Sequence, residues 1–118
     1  MIQKNELQYK QLVVGEYPIV EDGITLKMGR AYKRGSVLGI ITLENKATLV
    51  DSIKTDGSQT AVAILADDVD ATLADKVALI YLTGEFNRDE LLFGGTDTAD
   101  KHKQALRNIG IFIKRVGK

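Results

Sequence analysis

The apolar residues of this chain fall into short runs, each separated from the next by glycine, aspartate, asparagine or another turn-forming residue. Runs of this length and spacing are typical of β-strands joined by tight turns. The pattern therefore predicts a mainly β fold, a small barrel or sheet. The predicted strands cover residues 17–21, 24–28, 36–43, 47–53, 60–66, 77–82 and 111–116.

The residues between several of these runs predict turns. Asp22-Gly23 separates two β-prone segments, which is a signal for a type I′ hairpin. The polar stretch 30–34 is flanked by glycines and predicts a turn rather than a strand. Thr83-Gly84 follows the most apolar run and predicts the end of that strand.

Helix is predicted only near the C-terminus, as one or two short elements. Asn87 can cap a short helical turn over residues 88–93. Asp97 or Thr98 can cap a longer helix over residues 99–108, in which acids come early and bases late, as the helix dipole favours. The residues of this helix and its end that we expect to face inward are Ala99, Ala105, Leu106 and Ile109.

Two of the predicted strands are apolar on both faces. The run 77–82 is apolar at every position, and the run 61–66 nearly so. A strand of this kind needs cover on both faces, and one late helix can cover only one side of a small sheet. We expect a neighbouring subunit to cover the other side, although closure of a second layer within the same chain would also serve.

The chain has 118 residues, which favours a single domain. We expect a flexible N-terminal arm over residues 1–16, because terminal segments rich in lysine and glutamine are often mobile until a partner fixes them. Residues 17–118 form the single β-rich domain. The arm carries six apolar side chains that could contact a partner, namely Ile2, Leu7, Tyr9, Leu12, Val13 and Val14.

Composition excludes several classes of protein. The chain has no cysteine, so disulfide scaffolds, thiolate metal sites and cysteine nucleophiles are ruled out. No apolar run is long enough for a membrane span, and the N-terminus lacks the apolar stretch of a secretory signal, so the cytoplasm is the default compartment. The seven aromatic residues include no tryptophan and do not alternate with basic residues, so direct binding of nucleic acid is not expected.

Charge is unevenly distributed although the formal net charge is zero. Residues 36–100 carry four basic and twelve acidic groups, whereas residues 101–118 carry six basic groups and no acid. The folded molecule could therefore have an acidic face and a basic face that favour contact with a complementary surface. Two separately solvated faces would explain the same pattern.

The residues give no support for nucleophilic catalysis. The single histidine, His102, lies between two lysines and is expected to be exposed. The serines are Ser36, Ser52 and Ser58, which all lie in or beside predicted turns, and no nucleophile-elbow motif is present.

Metal and phosphate sites are equally unsupported. The acids Asp67, Asp68, Asp70 and Asp75 follow an apolar run, but neither register supplies the glycine and glutamate of an EF-hand loop. We interpret them as a solvated loop and expect no cofactor. Gly94-Gly95-Thr96 matches neither a dinucleotide fingerprint nor a P-loop, and reads as a turn. The sequence therefore favours a binding or structural role over an enzyme.

The order of motifs resembles the lambda-type bacteriophage head decoration protein family. The resemblance covers about residues 30–116, and its force lies in the order and spacing of parts that are individually weak. The segments that carry it are VLGI (37–40), DGSQTAVAIL (56–65), LTGEFNRDELLF (82–93, with its Gly84-Glu85-Phe86 turn) and GIFIK (110–114).

This resemblance implies a β-clip type of fold and a homotrimer without a catalytic site. It implies binding to the major capsid protein at local threefold positions on the outside of the expanded head shell, in the virion of a phage or prophage. It further implies that the N-terminal arm becomes ordered against the capsid, so we expect that a chain lacking residues 1–14 still folds and forms trimers but no longer binds.

Two other functions remain open at this point. The first is a small trimeric β-fold enzyme or ligand-binding domain that uses Asp67, Asp68 and Asp70 between subunits. It requires these acids to converge with His102 or an arginine in a pocket. The second is a host adaptor domain with unrelated partners.

Overall fold

A computed structural model describes residues 11–115 of the chain. The described part is mainly β, with short helices only near the C-terminus, so the predicted fold class is confirmed. The strands are β1 (Val20–Leu26), β2 (Arg30–Tyr32), β3 (Val37–Ile41), β4 (Lys46–Leu49), β5 (Ala63–Leu65), β6 (Val69–Ala71), β7 (Lys76–Asn87) and β8 (Ile111–Lys114). The helices are a 3-10 helix (Arg88–Glu90) and α1 (Ala99–Asn108).

Five of the strands close into a small barrel. The main sheet has the order β1-β4-β3-β5-β7-β8, and an additional pairing between β1 and β7 joins its ends into a ring that leaves β8 outside. Closing a sheet in this way removes the free edges of the ring strands, which would otherwise be available for pairing with another chain. The short strands β2 and β6 form a separate two-stranded sheet.

Two apolar cores lie on opposite sides of the barrel wall. The inner core takes residues from all five ring strands, and four of its nine members are alanine, which suits the narrow interior of a five-stranded ring. The outer core lies between the wall, α1, β8 and residues near Leu12. The inner core consists of Leu26, Tyr32, Leu38, Ala47, Ala63, Leu65, Ala71, Ala78 and Ile80.

The two cores explain why the run 61–66 is apolar on both faces. Ala63 and Leu65 of β5 belong to the inner core, while Ile64 between them belongs to the outer core. Layers within the chain therefore cover both faces of this strand. Of the two explanations left open by the sequence, closure within one chain is the correct one for β5.

Strand β7 is longer than the sequence predicted, and Thr83-Gly84 does not end it. The half before Gly84 pairs with β1 and β5, and the half from Gly84 onward pairs with β8 in parallel. Gly84 has φ 145°, and a Cβ atom there would lie 2.6 Å from Ile19 Cδ1. The strand continues because glycine tolerates both this conformation and this close contact.

The predicted hairpin at Asp22-Gly23 is wrong. Strand β1 runs straight through this dipeptide, with Asp22 opposite Ile80 and Gly23 opposite Leu79 of β7. Gly23 is not among the glycines with positive φ, so it does not adopt the conformation of a type I′ turn. Pairing with a distant long strand outweighs the local turn preference here.

The predicted turn over residues 30–34 is also wrong in part. Arg30–Tyr32 forms β2, which pairs antiparallel with β6. Tyr32 is 2% exposed, and its hydroxyl donates to the carbonyl of Lys27 at 2.7 Å. The tyrosine therefore anchors a segment whose other residues, Arg30, Ala31, Lys33 and Arg34, are exposed.

The helical predictions are confirmed in position but corrected in orientation. Asn87 caps the 3-10 helix by accepting from Asp89 N, and α1 covers Ala99–Asn108 as predicted. Thr98 is the N-cap residue of α1, without a side-chain capping bond. The buried residues of α1 are Ala99, His102 and Leu106, whereas Ala105 and Ile109, which we expected to face inward, are exposed.

The predicted exposure of His102 is therefore wrong. It lies three residues after Ala99 and four before Leu106, so helical spacing puts it on their buried face.

No helix among residues 11–115 is long and apolar enough to span a membrane.

Candidate interaction surfaces and a buried polar cluster

The six apolar residues of the predicted arm divide into two groups. Ile2, Leu7 and Tyr9 lie outside the described residues. Leu12, Val13 and Val14 lie within them, and all three contact the end of β7. We refer to residues 11–14 as the edge segment.

The edge segment is bound to the barrel by main-chain hydrogen bonds and by one core side chain. Leu12 is 0% exposed in the outer core, and its carbonyl accepts from Asn87 N at 2.8 Å. Val13 forms an antiparallel bridge with Phe86, and Val14 N donates to the carbonyl of Glu85 at 2.8 Å. Leu12 is therefore committed to the core and has no surface to offer a partner.

Glu85 contacts the backbone that leads from the edge segment into β1. Its Oε2 accepts from Glu16 N at 2.9 Å and from Tyr17 N at 2.6 Å, and its Oε1 accepts from Lys114 Nζ at 2.6 Å. Lys114, together with the amides of Tyr17 and Glu16, holds the pKa of Glu85 below its ordinary value. The sequence pattern gives no sign that Glu85 is a contact residue, because its backbone partners are 68 and 69 residues away in the sequence.

An apolar patch on the outer face of β7 is uncovered in the described structure. Val77 is 78% exposed and Leu79 is 42% exposed, and both lie on the face opposite to the inner-core residues of β7. Their antiparallel partners on β1 are Thr25 and Gly23, neither of which is large enough to cover them. We refer to Val77 and Leu79 as the β7 patch.

The three apolar side chains that are more exposed than Val77 lie in turns and loops. Leu43 is 98% exposed, Leu73 88% and Ile53 80%. Single exposed apolar residues of this kind are common on protein surfaces. The β7 patch differs from them because it belongs to a regular strand whose other apolar positions are packed.

The acids of residues 67–70 do not converge. Asp67 is exposed, Asp68 accepts from Arg34 N at 2.7 Å, and Asp70 accepts from Thr72 N at 3.0 Å. Each of the two bonded carboxylates thus stabilises a local turn. Within residues 11–115 there is no group of three or more histidine, cysteine, aspartate or glutamate side chains that could hold a metal ion.

These acids also lack the purely acidic surroundings that the charge distribution suggested. Strand β2 pairs with β6 and so brings Arg30 opposite Ala71 and Ala31 opposite Asp70. The exposed Lys33 and Arg34 follow directly after β2. Acidic and basic side chains are therefore mixed at this end of the barrel.

A cleft with charged lining residues lies elsewhere on the barrel. It has a volume of about 410 Å³ and is lined by residues of the β1–β2 turn, of β3 and β4, and of the loop 51–58. Lys27 and Glu44 form an ion pair of 2.6 Å at this cleft. Neither His102 nor any acid of residues 67–70 lines it.

A buried polar cluster joins the loop after β4 to the start of α1. Asp97 Oδ1 accepts from the hydroxyl of Ser52 at 2.7 Å, and its Oδ2 accepts from Ser52 N at 2.7 Å and lies 2.7 Å from His102 Nε2. The His102 ring stacks on Phe93 with a centroid distance of 5.6 Å. The hydrogen bond from Ser52, followed by that from His102, lowers the pKa of Asp97 to about 2, although burial opposes this change.

This cluster has the residue types of a catalytic triad without its geometry. A triad needs the serine hydroxyl to donate to the histidine, whereas Ser52 donates to the aspartate. Ser36 donates to the carbonyl of Lys33, and Ser58 donates to Asp56. The described serines thus make hydrogen bonds that stabilise turns and loops.

The fold and its surfaces define a small β-barrel protein with an apolar patch on one strand and a side-chain-anchored N-terminal segment. The sequence profile described as bacteriophage lambda head decoration protein D matches residues 2–111. The chain therefore belongs to this family of phage head decoration proteins, and the family resemblance seen in the motifs is confirmed. A search of curated proteins gives no match.

Family membership sets the general role. The family consists of structural proteins that decorate a bacteriophage head, which makes this chain a capsid component of the virion. The match begins at residue 2, so it includes the N-terminal segment that the motif comparison did not reach.

Proposed function

We propose that this protein decorates the outer surface of an expanded phage or prophage head as a homotrimer, binds the major capsid protein there and stabilises the shell. It acts without an enzymatic step, a cofactor or direct contact with nucleic acid. The proposal rests on family membership and on one structural observation, the uncovered β7 patch.

The β7 patch supports self-association. Apolar positions in β3, β5 and the rest of β7 pack inside the chain, and Val77 and Leu79 are the described apolar residues of β7 that stay exposed. Burying them against another copy would remove apolar surface from water, which is the main favourable contribution to association. Gly23 and Thr25, the small residues opposite them on β1, would allow a second copy to approach the patch closely.

The N-terminal residues support contact with the shell. Ile2, Leu7 and Tyr9 remain the candidate contact side chains, joined by the partly buried Val13 and Val14 of the edge segment. Leu12 is withdrawn from this role because it belongs to the outer core. Three such segments per trimer would bind with an avidity that a single weak contact lacks.

The alternative of an enzyme with carboxylates between subunits has no support from the described geometry. Asp68 and Asp70 bond to separate turns, and neither approaches His102. We therefore do not carry this alternative further.

Light scattering after size-exclusion chromatography tests the trimer, and co-sedimentation with expanded shells of the cognate major capsid protein tests the binding. We expect a mass near three times 12.9 kDa and a protein band in the shell pellet. A monomer at high concentration would contradict the trimer. Protein that stays in the supernatant with expanded shells would contradict decoration.

A further inference from the structure

Residues 15–19 connect the edge segment to β1 without regular strand pairing. The register of the β1–β7 ladder shifts between Val20 and Glu21, and the next main-chain bridge on this side of β7 is Val13 to Phe86. Side chains of β7 take over the hydrogen bonds that a regular ladder would have made. Side-chain oxygens thus replace backbone acceptors here, whereas most hydrogen bonds in proteins join backbone to backbone.

Glu85 provides two of these replacement bonds. Its carboxylate accepts from the two successive amides of Glu16 and Tyr17, and from Lys114 on the other side. Its side chain is only 17% exposed. Bonds from backbone N–H to a carboxylate are charge-assisted and stronger than those between neutral groups.

Gly15 makes this arrangement possible. Its φ is +77°, and a Cβ atom there would lie 2.5 Å from the carboxyl carbon of Glu85. Any larger residue would push the chain away from the carboxylate. Glycine at position 15 therefore allows the backbone to pass close to the carboxylate of Glu85.

Two further contacts hold the same stretch. Thr83 Oγ1 accepts from Val20 N at 3.1 Å and donates to the carbonyl of Pro18 at 2.8 Å. The Tyr17 ring packs edge-to-face on Phe112 of β8, with a centroid distance of 4.8 Å. The stretch is thus attached to β7 and β8 at several points, among which Glu85 makes the only contact with Glu16 N and Tyr17 N described for residues 11–115.

We propose that Glu85 is the positioning residue that keeps residues 15–17 on the barrel and, together with the bonds of the edge segment itself, fixes the place of Gln11, the first described residue. The consequence for shell binding rests on the proposed function. Gln11 lies beside the end of β7, where its carbonyl accepts from Asn87 Nδ2 at 3.2 Å. Three copies in a trimer then present their N-terminal residues from equivalent, fixed points, which lowers the entropy lost on binding.

Amide hydrogen exchange on the intact protein tests the positioning role. In Glu85→Ala we expect exchange at Glu16 and Tyr17 to rise by about tenfold or more, because opening at these two amides no longer breaks charge-assisted bonds to the carboxylate. Exchange at Val50 N, which bonds to Val37 in the core, stays unchanged. Glu85→Gln keeps an acceptor oxygen and gives an intermediate increase, and the control Glu21→Ala removes an exposed carboxylate on β1 and gives none.

Unchanged exchange at Glu16 and Tyr17 in Glu85→Ala would overturn the proposal, as would an equal rise at Val50, which would signify general destabilisation. Co-sedimentation tests the consequence separately. We expect Glu85→Ala to bind shells several-fold more weakly than Glu21→Ala. If the wild-type protein itself fails to bind shells, the proposed function is wrong, while the exchange data still decide whether Glu85 holds the segment.

Discussion

Ser52, Asp97 and His102 illustrate how single side chains hold an element in place. One carboxylate, 4% exposed, ties the loop after β4 to the first turns of α1, with Phe93 stacked on the histidine. Buried polar groups stabilise a fold only when their hydrogen bonds are complete, and the described part of the chain has no buried side-chain nitrogen or oxygen without a partner. The cluster therefore has a structural role.

Replacing Asp97 should destabilise the protein much more than replacing a nearby exposed aspartate. Asp97→Asn puts a donor where the carboxylate accepted, so Ser52 or His102 loses its partner, and we expect a loss of about 1–3 kcal/mol in the free energy of unfolding. Asp100→Asn is the control, since its side chain is 76% exposed and its ion pair with Arg88 should contribute less than about 1 kcal/mol. Urea denaturation measures both, and equal losses would contradict this role.

The same cluster predicts a dependence of stability on pH in acid. The pKa of Asp97 falls from 3.8 to about 2 in the folded protein, so the unfolded chain binds the proton first as the pH drops. The contribution of Asp97 is complete above about pH 4 and is lost as the pH falls toward about 2. The stability difference between wild type and Asp97→Asn should therefore shrink over this range, and a constant difference would contradict it.

The burial of His102 could have been predicted from helical spacing, but the charged residues beside it pointed to an exposed side chain. Lys101 and Lys103 suggested an exposed His102, but its spacing from Ala99 and Leu106 is that of one helix face. The bond from Ser52 to Asp97 spans 45 residues and could not be read from local pattern.

Individual strands and helices were predicted better than their pairing. The positions of β3, β8 and α1 follow from apolar runs and capping residues, and the structure confirms them. The course of β1 through Asp22-Gly23 does not follow from the local pattern, because its partner strand β7 lies more than 50 residues away in the sequence. Turn propensity is a local preference of limited size, and pairing with a distant strand can override it.

The edge segment revises the expected result of shortening the N-terminus. Removing residues 2–10 should change the free energy of unfolding by less than about 0.5 kcal/mol, because the sequence predicts a flexible arm there. Removing residues 2–14 also removes Leu12 from the outer core and should cost about 2–5 kcal/mol. Chemical denaturation distinguishes the two, and Leu12→Ala in the full chain is the matched control.

The shorter deletion also isolates shell binding. If residues 1–10 make the contact, the variant lacking residues 2–10 should remain folded and trimeric but stay in the supernatant when shells are pelleted. Undiminished pelleting of this variant would exclude these residues as the contact. A large loss of stability in it would show that they contribute to the fold.

At the scale of the molecule, residues 11–115 combine a closed barrel, an outer layer and one strand face that these residues leave unpacked. The closed ring protects the main-chain edges of its strands, so association has to use side chains or the peripheral strands outside the ring. The sequence indicated this need through apolar runs on both faces, but it could not tell which run was covered within the chain. The structure distinguishes the two runs: β5 lies between the two cores and is covered on both faces, whereas Val77 of β7 is exposed.

Charge placed on the β7 patch should therefore prevent association without unfolding the barrel. In a variant with Val77→Lys and Leu79→Lys, three copies would have to bury six ammonium groups, which costs far more than the apolar contact returns. Both side chains point away from the inner core, so circular dichroism and thermal unfolding of the monomer should show an intact fold. Leu43→Lys changes a residue that is 98% exposed in the β3–β4 turn and should leave the trimer unaffected. Light scattering should return 12.9 kDa for the double variant and three times that mass for the control; a trimer in both would move the interface away from β7.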